Sequence, residues 1–226
     1  MLPVHLIGEL VETSDVMEPP QQMLAPGPGI LSAREDLSQS KIILIGTSTG
    51  GPNALQTILP LFPAELPVGV LIVQHMPATF TGQLARRLDG ISALEVKEAE
   101  EGDTIRPGRA LIAPGDRHML VPRPGRVALA EEPVDALHRP AVDVMAASAA
   151  AAYTTGAVGV IMTGMGEDGK EGMRAVKDKG GYVVAQDEAT SVIYGMPRAV
   201  VEAGLADAVC PLEQIVTVAL NQLALD

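Results

Sequence analysis

A single cysteine, Cys210, stands in the whole chain of 226 residues, so no disulfide can form within it. The fold must therefore be held by a packed core, and a reducing compartment suits it best. Basic residues are scarce as well, with 16 Lys and Arg against 28 Asp and Glu. The resulting charge of −12 argues against general binding to nucleic acid or to anionic membranes. Four scattered histidines, with no His-x-x-x-His pair and no cysteine pair, give no metal-site pattern. Neither a metal nor a cofactor is expected. The opening Met1-Leu2-Pro3-Val4-His5 has no basic region followed by a long apolar core. Neither a secretory signal nor a membrane span is expected, and the cytoplasm is the expected location.

What is present is apolar sequence in short runs. Nearly half the residues (47%) are hydrophobic, enough to bury one full core. Residues 1–40 stand apart: an apolar patch, Leu6–Val11, precedes Pro19-Pro20 and Pro26-Gly27-Pro28-Gly29, a density that suits a tail or linker. From residue 41 to 226 strand and helix patterns alternate. Apolar strands are expected at Ile42–Ile45, Val68–Gln74, Ala93–Lys97, Ala157–Met162, Tyr182–Ala185 and Asp207–Cys210. Helices are expected over Thr79–Leu88, Ala141–Tyr153, from Gly169 to about Lys179, Met196–Ala203 and Leu212–Leu223. Arg109–Ala113, His118–Val121 and Arg126–Ala130, separated by turn residues, suggest an inserted antiparallel hairpin. The pattern predicts an α/β fold, a doubly wound and mainly parallel sheet carrying that hairpin.

The chain is organised around Lys41–Pro52, KIILIGTSTGGP. A continuously apolar strand runs into a glycine-rich turn, and Pro52 suits the first turn of the helix that follows. The turn fits Gly-x-Ser-x-Gly, in which flanking glycines bend the backbone and lift a serine out of it. Three readings are open at this point: a nucleophile, an anion cradle at the helix N-terminus, and a helix cap. The stretch carries neither of the specific nucleotide fingerprints, Gly-x-x-x-x-Gly-Lys-Ser/Thr or Gly-x-Gly-x-x-Gly.

Ligands of open parallel sheets bind beyond the carboxyl ends of the strands. Ser48, His75 and Asp168 each follow the carboxyl end of a different apolar strand, which allows them to meet along one edge of the sheet. Serine needs a base to become a nucleophile, and the base needs an acceptor that orients it. Each member also has a plainer reading: His75 as a turn histidine, Asp168 as a helix cap. Asp187 is a rival orienter, and His118 and His138 are rival bases that fall away from the parallel strand ends. The chain order Ser, His, Asp differs from the Ser, Asp/Glu, His order of α/β-hydrolases.

Residues 41 to about 223 resemble the catalytic domain of the chemoreceptor protein-glutamate methylesterases of the CheB type. The resemblance is carried by IGTSTGGP (45–52), QHMP (74–77), VKEAEEGDTIRPGRALIAPGDRHM (96–119), HRPAVDV (138–144), VGVIMTGMGEDG (158–169) and YGMPRAV (194–200). It implies that Ser48 is the nucleophile, His75 the base and Asp168 the orienter. It also implies that the main-chain amide of Met165 stabilises an oxyanion, with the Thr49 hydroxyl beside the site. The implied reaction is hydrolysis of glutamate γ-methyl esters on the cytoplasmic helices of methyl-accepting chemoreceptors, releasing methanol, together with deamidation of receptor glutamines in some members. Two other functions remain as alternatives: a serine esterase acting on small esters, and a receptor-binding module without catalysis.

Two departures from the family pattern carry expectations of their own. Members usually bear a receiver domain ahead of the catalytic one, whereas 40 residues stand there here. Activity independent of phosphorylation, with a regulatory partner in place of the receiver, is the corresponding expectation. Glu167 occupies a position beside Asp168 where a neutral Asn is frequent. A carboxylate reaching His75 would favour its protonated form, and one turned to water would have little effect.

Overall fold

The computed structural model describes residues 40–223. All of residues 1–40 but Ser40 lie outside the described residues, including the apolar patch Leu6–Val11.

Among the described residues, nine strands and six α-helices follow one another from Ile42 on. In order they are β1 (Ile42–Thr47), α1 (Gly51–Ile58), β2 (Gly69–Gln74), α2 (Ala78–Asp89), β3 (Glu95–Glu98), β4 (Arg109–Ile112), β5 (His118–Arg123), β6 (Arg126–Ala130), α3 (Val142–Tyr153), β7 (Ala157–Ile161), α4 (Lys170–Asp178), β8 (Tyr182–Gln186), α5 (Met196–Glu202), β9 (Ala208–Cys210) and α6 (Ile215–Asn221). Seven strands form one parallel sheet in the order β3-β4-β2-β1-β7-β8-β9, and β5 and β6 form a separate antiparallel hairpin.

Position in the sheet follows from composition. β1, β2 and β7 are buried at every residue, as strands covered on both faces must be. β3, with its sequence EVKE, is only half-buried and lies at an edge, where its charged side chains reach water. Side chains alternate between faces. Ile43, Ile45, Val70 and Ile72 enter one core with α1, α2 and α6. Ile42, Leu44, Leu71 and Val73 enter the other with α3, α4, α5 and the hairpin. Each fully buried Ile, Leu or Val contributes about 1.5–3 kcal/mol through the water it sheds.

The strand expected at Arg109–Ala113 belongs to the main sheet and not to the hairpin. It pairs in parallel with β2 on one side and β3 on the other. Ala110, Leu111 and Ile112 are buried, which suits a place between two strands. The antiparallel insertion is thus two strands, and it packs against α3 through Met119, Val121 and Val127. The last expected helix begins as a single 3-10 turn, Leu212–Gln214, before α6.

The strand order turns at β1. The helices after β1 and β2 cover one face, whereas those after β7 and β8 cover the other. A crevice therefore opens at the carboxyl ends of β1 and β7, the switch point at which such sheets bind ligands.

Candidate active site

The register of the central strands brings the nucleophile and base candidates together. β1 and β2 pair up to Thr47 opposite Gln74, so Ser48 and His75 are the next residues on neighbouring strands. The His75 N–H donates to the Thr47 carbonyl at 3.1 Å, and the buried Gln74 side chain donates from Nε2 to the carbonyls of Ser48 (2.9 Å) and His75 (3.0 Å). Gln74 thus pins the two turns to each other, a role that sequence reasoning missed although Gln74 sits in the QHMP run.

On the other side of Ser48, its N–H donates to the Thr163 carbonyl beyond β7 at 3.0 Å. The turn itself closes with the Gly51 N–H on the Ser48 carbonyl, and Gly50 adopts φ +85°, a left-handed conformation that glycine tolerates best. No side chain caps α1, so the cap reading of Ser48 is not realised.

Asp168 follows β7 and reaches His75. Oδ2 of Asp168 lies 2.6 Å from His75 Nε2, and both side chains are only 9% exposed. The carboxylate accepts a hydrogen bond from the Nε2–H, which leaves Nδ1 as the basic nitrogen of neutral His75. Nδ1 is buried and has no hydrogen-bond partner among the described residues. A bare acceptor nitrogen, oriented by a carboxylate, on a residue that ends the strand next to a serine's, is what a general base requires.

The capping reading of Asp168 is also realised, on another helix. Its Oδ2 accepts the Val142 N–H at 2.7 Å and its Oδ1 the Asp143 N–H at 3.0 Å, satisfying two free amides at the start of α3. Burial alone would raise the Asp168 carboxyl, but the hydrogen bonds from His75, Asp143 and Val142 outweigh it and hold the group below the usual carboxylate range. It is therefore ionised whenever His75 works as a base. Asp143 returns the contact, accepting the N–H groups of Gly169 (2.8 Å) and Gly172 (2.7 Å) at the start of α4. The two helices cap each other. Gly172 permits this approach, since a Cβ there would lie 2.8 Å from the Ala146 Cβ and 2.9 Å from the Asp143 Cα.

The rival residues have other duties. Asp187 accepts from the N–H and hydroxyl of Thr190, a local turn. His118 is fully buried, with Nε2 at 3.2 Å from the Pro133 carbonyl and Nδ1 accepting the Ala141 N–H, and burial pushes its imidazole down. It is a structural histidine. His138 lies within the site as well, although it follows no strand: its ring stacks on His75 with centroids 4.1 Å apart and planes 23° apart. Burial, and then a charge on His75, push the His138 imidazole down. Its place in the HRPAVDV run was the one sequence signal that could have found it.

Glu167 turns to water. Its side chain is 71% exposed and pairs with Lys170, so it is not the second carboxylate of the site. That carboxylate is Asp143. Met165 and Thr49 are both exposed, at the rim. The intervening Gly164 packs against Ser48, and a Cβ on it would lie 2.9 Å from the Ser48 Cβ. An open groove of about 800 Å³ leads away from this rim, lined by Met165, Val192, Ile193, Lys170, Arg198 and Glu202 among others. On the opposite side, His75, Met76, His138 and Pro140 border a smaller depression of about 300 Å³.

The sequence profile of the CheB methylesterase family matches residues 43–218. A protein-glutamate methylesterase/protein-glutamine glutaminase of Moorella thermoacetica is 58% identical over 179 residues, which are 77% of this chain and 42% of that protein. A protein of the same description from Pyrococcus horikoshii is 49% identical over 176 residues, 76% of this chain and 48% of that one. The chain thus spans under half the length of these relatives. The crystal structure of the Thermotoga maritima CheB methylesterase catalytic domain superposes with a TM-score of 0.77 at 45% identity, covering 80% of this chain and 98% of that domain. With a matched profile across most of its length and the same fold, this chain belongs to the CheB methylesterase family.

Proposed function

We propose that residues 41–226 form a catalytic unit that hydrolyses glutamate γ-methyl esters on methyl-accepting chemoreceptors, with Ser48 as nucleophile, His75 as base and Asp168 as orienter. The observation that carries this reading is the buried His75–Asp168 pair, with Nδ1 of His75 bare, on the strand end next to the one that carries Ser48.

The Ser48 Oγ attacks the ester carbonyl carbon while His75 Nδ1 takes its proton. The carbonyl oxygen becomes an oxyanion, and the Met165 main-chain amide, next to the Gly164 that packs on Ser48, is assigned to receive it. One such preorganised donor contributes about 3 kcal/mol to the transition state. Collapse expels methoxide, which leaves as methanol with the proton from His75, and an acyl ester remains on Ser48. Water then attacks, again giving one proton to His75, and the Ser48 alkoxide departs with that proton; the glutamic acid formed gives its remaining proton to solvent and leaves as the carboxylate. A receptor glutamine would follow the same path with ammonia as leaving group.

The groove favours a protein substrate over a small ester. It is open, and it combines the exposed Met165, Val192 and Ile193 with the charged Lys170, Arg198 and Glu202, a surface suited to an amphipathic helix. The substrate is then the cytoplasmic part of a receptor. No helix among the described residues is long and apolar enough to cross a membrane.

Methanol release from methylated receptor in membranes tests the assignment. Wild-type protein should release methanol and Ser48→Ala should lose at least a hundredfold in rate, since loss of a triad serine ordinarily costs far more. Ser48→Ala should fold normally, because Ser48 is tied in through its backbone N–H and carbonyl. A variant that retains more than about one hundredth of the rate, or a wild-type protein that cleaves only small esters, would refute this function.

A further inference from the structure

Asp143 is the one charged residue of α3, and it is half-buried at the start of that helix. Its Oδ1 holds the N–H groups of Gly169 and Gly172, while its own N–H binds Asp168 Oδ1. Asp168 and Gly169 are sequence neighbours, so Asp143 grips the loop carrying the orienter from both sides. The grip is short, with all three contacts between 2.7 and 3.0 Å. An aspartate at this position exceeds what a helix start requires, because its carboxyl caps not its own helix but the one that begins beside Asp168.

We propose that Asp143 is a positioning residue for the His75–Asp168 pair, locking the Asp168 carboxylate against α3 and setting, through its own charge, how readily His75 is protonated. This rests on the triad reading above. The surroundings leave that charge poorly screened. Asp168 and Glu167 face Asp143 from the loop after β7, Lys170 and Glu171 from the first turn of α4, and His138 from the segment before α3, all around one cavity of about 370 Å³. His75 lies on the far side of Asp168. Lys170 is the one cation among them, and it pairs with the exposed Glu167.

Burial pushes the Asp143 carboxyl up, and the nearby Asp168 charge and hydrogen bonding add to this against the opposing Gly172 and Gly169 amides, bringing it to about 6. Asp143 therefore passes from neutral to charged within the range where a histidine base begins to work. Once charged, it adds a second negative group beside Asp168, the acceptor of the His75 N–H, and favours the imidazolium.

Asparagine and alanine separate the two parts of the role. Asp143→Asn keeps an oxygen for the α4 amides and removes the charge, whereas Asp143→Ala removes both. The readout is the pH dependence of Ser48 modification by a fluorophosphonate probe, located by mass spectrometry, alongside kcat and KM for methyl-ester hydrolysis. Asp143→Ala should lower kcat at least about tenfold with KM changed less than about threefold, the signature of misplaced catalytic groups. Asp143→Asn should be at least about tenfold faster than Asp143→Ala, with its acid limb moved to lower pH by roughly 0.3 unit or more. An acid limb of Asp143→Asn that coincides with wild type overturns the inference, and it does so whether or not Asp143→Ala folds. An alanine variant within twofold of wild type overturns it too. A wild-type protein whose Ser48 is not modified at all instead sinks the triad reading on which this rests.

Discussion

Replacing Asp168 with asparagine tests the site at its most constrained atom. Oδ2 of Asp168 accepts from His75 Nε2 at 2.6 Å and from the Val142 N–H at 2.7 Å, while Oδ1 accepts from the Asp143 N–H at 3.0 Å. Asparagine has one oxygen for these two positions. If its oxygen stays with Asp143, its NH2 meets the Val142 N–H and donates to Nε2. The His75 proton then moves to Nδ1, which can no longer accept one from Ser48. This change of tautomer should cost about four decades in kcat, or about 5.5 kcal/mol of transition-state energy. If the side chain flips, the tautomer survives, but the NH2 faces the Asp143 N–H and the carboxylate's charge is still missing from the imidazolium. Either way catalysis suffers far more than folding. Loss of one partner among the α3 amides should destabilise by about 1–2 kcal/mol, or roughly 2–8 °C in Tm for a chain of this size. Asp187→Asn is the matched control, since the Asp187 carboxylate serves Thr190. Methanol release at saturating substrate, with Tm from calorimetry, gives both numbers. An Asp168→Asn protein that keeps more than a tenth of kcat, or an Asp187→Asn protein that loses as much, would refute the assignment of Asp168 as orienter.

Other expectations follow from the same contacts. Glu167→Gln should leave the acid limb of kcat/KM in place, because the Glu167 side chain is in water beside Lys170; a shift of that limb would show that its charge reaches His75 after all. Gly164→Ala should lower kcat by about one to two decades, since the new Cβ would lie 2.9 Å from the Ser48 Cβ and 2.3 Å from the Met196 Sδ, and a displacement approaching 1 Å at a nucleophile costs about a hundredfold. Unchanged kcat in a folded Gly164→Ala protein would mean that Ser48 moves without penalty. The two adjoining aspartates should leave opposite marks on stability. Asp143 is raised from 3.8 to about 6 in the folded state, so the native protein binds more protons than the unfolded chain in that window and its contribution falls as pH rises from 3.8 to about 6. Asp168 is held below its ordinary range, so its contribution is present above that range and is lost as pH falls through its folded value. Chemical denaturation between pH 4 and 7 should therefore show Asp143→Asn gaining on wild type as pH rises, and parallel curves would contradict the burial of a shared charge between α3 and α4.

Much of this protein is written in short-range pattern. Ile42–Ile45 and Ala157–Met162 are continuous apolar runs closed by glycine, and such runs are stable only where both faces are covered, so their central place in a parallel sheet was legible without coordinates. The same logic put Ser48, His75 and Asp168 at strand ends, and β2, β1 and β7 prove to be adjacent. Arg109–Ile112 was less legible, because a four-residue strand followed by turns reads equally well as part of a hairpin or of the sheet. What settled it was the vacant position between β3 and β2, a matter of long-range pairing.

The interior of the site was decided by tertiary structure. His138 follows no strand and has no spacing that marks it, yet its segment returns across the site and lays its ring on His75. Of two acidic residues near the orienter in sequence or space, the adjacent Glu167 turned out to face water and the distant Asp143 to share its surroundings. The capping reading and the catalytic reading of Asp168 looked like alternatives along the chain, but one carboxylate has lone pairs for both, and α3 brings its free amides to the side that His75 leaves open. Sequence by itself determined the elements and the edge of the sheet where chemistry belongs, because hydrophobic period and backbone sterics act over a few residues. Which side chains meet at that edge, and with what charge, was determined by how α3 and α4 pack, because hydrogen bonding and desolvation depend on neighbours that the chain supplies from more than twenty residues away.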